Sequence, residues 1–261
     1  MTLHLVQILP ESKALVRYAK RAGLPLDDPG YLWHRAFRDA FGGMAPQPFR
    51  WLQPAGHRPA ERGAPGRLLG YGPSDAGSLT EMLALAESDL ARVFPEHALD
   101  SRIMPTGFAR GQRLGFEIRV CPVVRTDSHD GKRKRELDAF VHHAAARPDE
   151  PKPAREEIYR DWLARQLEAG GAEIGRADMT AFTLEPLVRR RHASPNGRTP
   201  TRSEPARRLT SEGQRKAARR PDAVFRGTLA VTDPERFAAS LAKGIGRHRA
   251  FGFGMLLLRP A

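Results

Sequence analysis

The sequence holds one cysteine, Cys121, in 261 residues. A single thiol excludes a disulfide framework and any zinc site built on cysteines. Long apolar runs are also missing: the longest strictly aliphatic stretch, Met255 to Leu258, falls far short of the ~18 residues a membrane span needs. The opening MTLHLVQILPESK sets an acid and a proline where a secretory signal would keep its apolar core. These absences point to a soluble protein of a reducing compartment, the cytoplasm. Several catalytic signatures are lacking too. No GxSxG marks a serine hydrolase, no HExxH or CxxC marks a metal site, and neither GxGxxG nor GK[ST] occurs. His142-His143 and Asp127-Ser128-His129-Asp130 are runs of adjacent residues that do not share a face, so no metal and no cofactor is expected.

Positive charge is abundant. Lys and Arg number 43 against 30 Asp and Glu, a formal +13. Most of that excess is concentrated, because Leu187 to Arg220 carries eleven basic residues and two acids, Glu204 and Glu212. Arginine forks onto phosphates, and each phosphate neutralised releases condensed counterions, so this segment points to nucleic acid. A solvated basic loop is the blander alternative. With 40% hydrophobic residues the rest can bury a core, and at about 150 residues per domain the length suits one large domain or two small ones.

Periodicity predicts a strand at 3–9, a short helix at 11–22, a helix at 30–42, and strands at 49–53 and 67–72. A Pro/Gly/Arg-rich excursion separates those two strands at 54–66. A helix at 78–94, opened by a Ser78–Glu81 capping box, and a strand at 102–108 complete a β-α-β-β-α-β unit. The order then returns. A strand at 114–124, a charged loop with Lys132 to Arg135, a helix at 154–170, strands at 173–176 and 180–190, the basic segment, a strand at 223–232, a helix at 233–243 and a strand at 253–260 form a second unit. The fold class is therefore α+β, two tandem ferredoxin-like domains, 1–111 and 112–261, the second with a basic insertion at about 187–221.

Wound at 100° per residue, the 30–42 helix places Trp33, Ala36, Phe37, Ala40 and Phe41 on one core-facing stripe. Tyr31, His34 and Arg38 fall on the side turned from it, with Tyr31 and His34 one turn apart. An imidazole titrates near neutrality and suits general acid–base work, and a phenol beside it can orient a hydroxyl or a phosphate oxygen. A helix N-terminus attracts anions. On spacing alone a helix-boundary histidine bonded to a neighbour is the simpler reading and remains open. A second feature is GIGRHRAFGFG, 244–254, which runs from helix into strand, opposite to a phosphate-binding P-loop. Its glycines allow close approach of backbone to a ligand while Arg247, His248 and Arg249 meet phosphates.

Taken together, these features resemble the CRISPR repeat-processing endoribonucleases of type I-E Cascade systems, the CasE (Cse3) family. Tyr31-Leu32-Trp33-His34 is similar to the family's Tyr-x-x-His. FEIRVCPVVR (116–125) resembles its Phe-x-Leu-Arg-x-Asn-Pro strand, with Cys121 where Asn is usual. Gly244 to Gly254 followed by MLLLRP resembles its GxGxxxxxGxG loop and last strand, and WLARQLE (162–168) and LAVTDPERF (229–237) fit neighbouring elements. The resemblance implies two packed ferredoxin-like domains and cleavage of the repeat RNA at the base of its hairpin without a metal. His34 would move the proton in 2′-OH attack, Tyr31 would orient the hydroxyl or phosphate, and the products would be a 5′-hydroxyl and a 2′,3′-cyclic phosphate. RNA contacts would come from Arg38, Arg119, the Arg189-Arg190-Arg191 run as a basic hairpin on the stem, and Gly244, Gly246, Arg247, His248, Arg249, Gly252 and Gly254. His248 departs from the family pattern, as either a second catalytic group or a phosphate contact, and the stretches 54–66 and 192–221 exceed its usual length. Relatives stay on the 3′ hairpin of the guide RNA and recruit other Cascade subunits, so such partners are implied here. The rival reading is a non-catalytic RNA-binding subunit. An RRM advertises an aromatic RNP strand, which this sequence lacks.

Overall fold

The computed structural model describes residues 2–53, 66–105, 107–127, 134–149, 151, 153–186 and 219–261. Its first half runs β1 (His4–Ile8), α1 (Ser12–Arg21), α2 (Pro29–Phe41), β2 (Phe49–Leu52), β3 (Arg67–Gly72), α3 (Ala76–Leu85), α4 (Ser88–Val93) and β4 (Leu99–Ile103). The second runs β5 (Arg113–Val120), β6 (Val123–Asp127), β7 (Lys134–Asp138), α5 (Ala139–Ala146), α6 (Arg155–Ala169), β8 (Ala172–Pro186), β9 (Arg219–Val231), α7 (Pro234–Lys243) and β10 (Leu256–Pro260). Two four-stranded antiparallel sheets result, in the orders β2-β3-β1-β4 and β10-β5-β9-β8. Counted along each half, both orders are 4-1-3-2, the ferredoxin-like arrangement expected from the sequence.

The α2 stripe drives the core of the first half. Trp33, Ala36, Phe37, Ala40 and Phe41 are all buried, and Phe37 meets Phe41, Phe49 and Phe94 within 5.1–6.0 Å between ring centroids. In the second half Ile158, Trp162, Leu163 and Leu167 of α6 are buried beside Phe116, Ile118 and Phe225 of the sheet. Leu3, Tyr71 and Met104 of the first half belong to this same cluster. The Tyr71 hydroxyl donates to the Leu256 carbonyl at 2.9 Å in a buried bond, and Arg50 on β2 pairs with Glu117 on β5 at 3.1 Å. Burial holds the Arg50 guanidinium down to about 10, so the pairing offsets a real desolvation cost.

The strand expected at 102–108 lies at Leu99–Ile103, and the charged loop expected around Lys132 to Arg135 is in part β7. Three further local expectations need correction. The helix expected at 78–94 is two helices, and it begins upstream of Ser78. Asp75 takes the cap, its carboxylate accepting from both the amide and the hydroxyl of Ser78 at 2.9 and 2.7 Å; two good caps three residues apart compete, and the upstream one holds. Ala86 is extended, and α4 turns onto α1, where Arg21 pairs with Glu87 and Asp89. The strand expected at 114–124 breaks at Cys121-Pro122, since proline has no amide to continue the ladder, and β6 pairs with β7 instead. Conversely, the strands expected at 173–176 and 180–190 are one, β8. Register shifts at 174–176 and 179–181 absorb the irregular positions. The excursion at 54–66, apart from Gly66, and the basic segment up to residue 218 lie outside the described residues.

Candidate active site at the junction of the two halves

Asp28-Pro29 sets the start of α2. Asp28 caps the helix by accepting from the Tyr31 amide at 3.0 Å, and Pro29 occupies the first turn, where its missing amide costs nothing. Tyr31 and His34 therefore project from the first two turns, both partly buried, while Arg38 is exposed. Neither the Tyr31 hydroxyl nor the His34 ring nitrogens have a hydrogen-bond partner among the described residues, and Arg38 has no ion-pair partner among them. The alternative of a boundary histidine bonded to its neighbour is not what the structure places there. Arg35, one turn from Tyr31, is instead held by Asp39 at 3.1 Å.

The other wall is the glycine loop between α7 and β10. Gly244, Gly246, Gly252 and Gly254 all take positive φ, and so does His248 at 59°. A left-handed histidine is uncommon and marks a constrained loop. The constraint is visible in its bonds: the Ile245 amide donates to the Gly254 carbonyl at 2.8 Å, and the Gly254 amide to the Arg119 carbonyl at 2.7 Å. Folding back this way brings Phe251 over His34, with ring centroids 5.0 Å apart. The His248 ring lies 6.2 Å from Phe251 and 6.4 Å from Phe253 between ring centroids. Gly30 makes the approach possible, because a Cβ there would stand 2.5 Å from the Phe251 carbonyl oxygen. A concavity of about 600 Å³ opens beside His34, bounded by Arg38, Gly42, Gly43, Pro46 and Ala250.

Burial, then the positive charges of Arg38 and Arg35, hold the His34 imidazole below the usual histidine range, with Asp39 opposing them. The ring is thus neutral, and a base, near pH 7. His248 is also held low by burial, although Glu136 opposes this.

The cations expected to meet RNA divide into two groups. Arg247 pairs with Glu136, and His248 Nε2 lies 2.9 Å from the other Glu136 oxygen. Arg249 donates to the Lys243 carbonyl at 2.9 Å. Arg119 is held inside the protein: it pairs with Asp222 and Glu185, lies 4.3 Å from the Phe253 ring centre, and has a side chain only 18% exposed. Expected as an RNA contact, it holds internal partners here, and its carbonyl supports the loop by accepting from the Gly254 amide. Arg220, counted above in the basic segment, is likewise buried, on Asp28 and Glu185. Arg189, Arg190 and Arg191 lie outside the described residues. Sequence reasoning missed Glu136, Phe251 and the Asp28–Arg220 pair, which join residues distant in the chain and leave no local signal. Among the described residues no three His, Cys, Asp or Glu side chains gather as a metal-holding group, and no helix is long and apolar enough to cross a membrane.

Residues 5–260 match the family model described as CRISPR associated protein. A relative, the CRISPR-associated endoribonuclease Cse3 of Thermus thermophilus, is 28% identical over 179 residues, 68% of this chain and 67% of the relative. Thermus thermophilus Cse3 bound to an RNA representing a pre-cleavage complex matches the whole of this chain over its own full length, with a TM-score of 0.58 at 19% identity. Cas6e of Escherichia coli K-12 also matches from end to end, with a TM-score of 0.53 at 13% identity. The structural likenesses establish a shared fold of two ferredoxin-like domains.

Proposed function

The chain belongs to the CRISPR-associated CasE/Cse3 family, and we propose that it is an endoribonuclease that cuts the repeat hairpin of precursor CRISPR RNA. One observation supports this reading above the others: a half-buried imidazole and a phenol stand one turn apart at a helix N-terminus beside the cation Arg38, all three without partners among the described residues.

The neutral His34 imidazole takes the proton of the 2′-hydroxyl upstream of the cut. The 2′-oxygen attacks phosphorus, the bond from phosphorus to the 5′-oxygen breaks, and the departing oxygen takes up the proton that the resulting His34 imidazolium returns. The products are a 2′,3′-cyclic phosphate and a 5′-hydroxyl. Tyr31 orients the hydroxyl or a phosphate oxygen, while Arg38 and the α2 N-terminus stabilise the charge that builds on the phosphate. Positioned acid–base catalysis contributes roughly 10²–10⁴-fold. The His34 imidazole carries the proton from the 2′-oxygen to the departing oxygen while Tyr31 orients, so the proposed reaction calls on no metal and no cofactor.

RNA lies across both domains, 1–111 and 112–261. The Arg189-Arg190-Arg191 run grips the stem, where cations read phosphates and shape because the RNA major groove is too deep for side chains. Gly244, Gly246, Gly252 and Gly254 bring backbone close to the strand, with Arg247, His248 and Arg249 exchanging their internal partners for phosphates. The protein then stays on the 3′ hairpin as a Cascade subunit in the cytoplasm. Replacing His34 by Ala tests this: the variant should bind the repeat hairpin as tightly as the parent and leave it uncut. Cutting by the variant would sink the assignment, and binding without cutting by the parent protein would favour a non-catalytic RNA-binding subunit.

A further inference from the structure

We infer that the buried Asp28–Arg220 pair is a positioning device for the cut, seating the start of α2 on the second sheet so that Tyr31 and His34 meet the scissile phosphate in register. The inference rests on the reading of those two residues as the cutting pair.

One oxygen carries the coupling. Asp28 Oδ1 accepts the Tyr31 amide at 3.0 Å and Arg220 Nη2 at 3.1 Å. The side chains of Arg220 and Asp28 are 6% and 5% exposed, so this arginine is not a surface grip on phosphate. Arg220 stands opposite Glu185 in the β8–β9 ladder, and its Nη2 reaches the Glu185 carboxylate at 3.4 Å. Glu185 in turn accepts from Arg119 at 3.0 Å, and the Arg119 carbonyl holds the Gly254 amide at 2.7 Å. The Arg119 and Arg220 guanidiniums both face the Phe253 ring, at 4.3 and 5.3 Å from its centre. A continuous path therefore runs from the Tyr31 amide through Asp28, Arg220, Glu185 and Arg119 to the glycine loop.

Helix capping does not explain Arg220, since Asp28 caps α2 without it. Net stability explains it poorly as well, because a buried ion pair often does no better than apolar residues of the same volume. What the pair uniquely supplies is a fixed distance between α2 and the two strands that flank the basic segment. Misplacement of catalytic groups by about 1 Å can cost roughly 10²-fold in rate.

Asp28→Asn separates the roles, because Asn caps a helix as well as Asp but carries no charge. Arg220→Gln removes the charge from the other side, and Arg220→Lys keeps it. Single-turnover cutting at saturating repeat hairpin, hairpin affinity and melting temperature should be measured for each, and for the Asp28→Asn/Arg220→Gln double variant. Affinity should change less than about twofold, while the cutting rate falls about 10- to 100-fold in each neutral variant. The double variant should be no slower than the slower single, and Arg220→Lys should recover part of the loss, because the two residues act as one unit. If Asp28→Asn fails to fold, the comparison of Arg220→Lys with Arg220→Gln carries the test. Wild-type rates in the singles, losses that multiply in the double, or a lower fraction of competent molecules at an unchanged rate would each overturn the inference. His34→Ala runs alongside: cutting by it overturns the functional reading, whereas a dead His34→Ala with normal Asp28→Asn and Arg220→Gln overturns only the positioning role.

Discussion

The His34 imidazole packs against the Phe251 ring with centroids 5.0 Å apart and planes tilted by 54°. One ring comes from α2 in the first half, the other from the glycine loop of the second, so the candidate base is buried only where the two halves meet. Neither ferredoxin-like unit alone creates this environment. It also sets the proton chemistry, since burial is the leading cause of the depressed His34 imidazole.

The pH profile follows from that depression. Attack on phosphorus requires the neutral imidazole, so the cutting rate should rise with pH and level off, with a midpoint below the ordinary histidine value of about 6.5. Arg38 contributes to the lowering. Arg38→Gln should therefore move the midpoint upward, towards that ordinary value, when measured at saturating RNA. A midpoint above it in the parent protein would contradict the role of His34 as base.

Gly30 is a test of the junction itself. Gly30→Ala places a methyl group against the Phe251 carbonyl, which must displace either the helix or the loop. Single-turnover cutting should drop by about tenfold or more, with far-UV circular dichroism unchanged.

Tyr71 reports on the coupling of the halves away from the site. Its phenol is buried and donates to the Leu256 carbonyl, and burial pushes its ionisation well above the usual tyrosine range. Tyr71→Phe leaves that carbonyl unsatisfied and should lower stability by about 1–3 kcal/mol in urea unfolding.

Cys121 should be chemically silent. It is buried, and desolvation pushes its thiol up to about 12, so little thiolate forms at pH 8. Iodoacetamide should leave the native protein unmodified at that pH and label one site per chain after denaturation.

Where local chemistry dictates structure, the sequence was legible. The α2 stripe and the glycine loop both depend on residues a few positions apart, and the stripe places Tyr31, His34 and Arg38 on one side of a helix. The break of the 78–94 helix at Ala86 goes with the packing of α4 against α1, which is not a property of its own window. Pro122, by contrast, stands inside the 114–124 window, and only the pairing of β6 with β7 lies beyond it. The same holds at the site. Arg220 reads as one more cation in a basic run, yet it lies buried on an aspartate 192 positions away, and Glu136 reads as one charge in a loop, yet it neutralises Arg247 and His248. Ion pairs of this kind are chosen by the fold, so composition alone assigns such residues to solvent or ligand.

The central claim is 2′-OH attack assisted by His34 without a metal. It is tested most directly by incubating a labelled repeat hairpin with the protein in EDTA, beside a hairpin carrying a 2′-deoxy sugar immediately upstream of the cut. The account predicts cutting of the all-RNA hairpin, with a cyclic phosphate on the upstream fragment, and an intact deoxy hairpin. Cutting of both, or of neither until a divalent metal is restored, would contradict it.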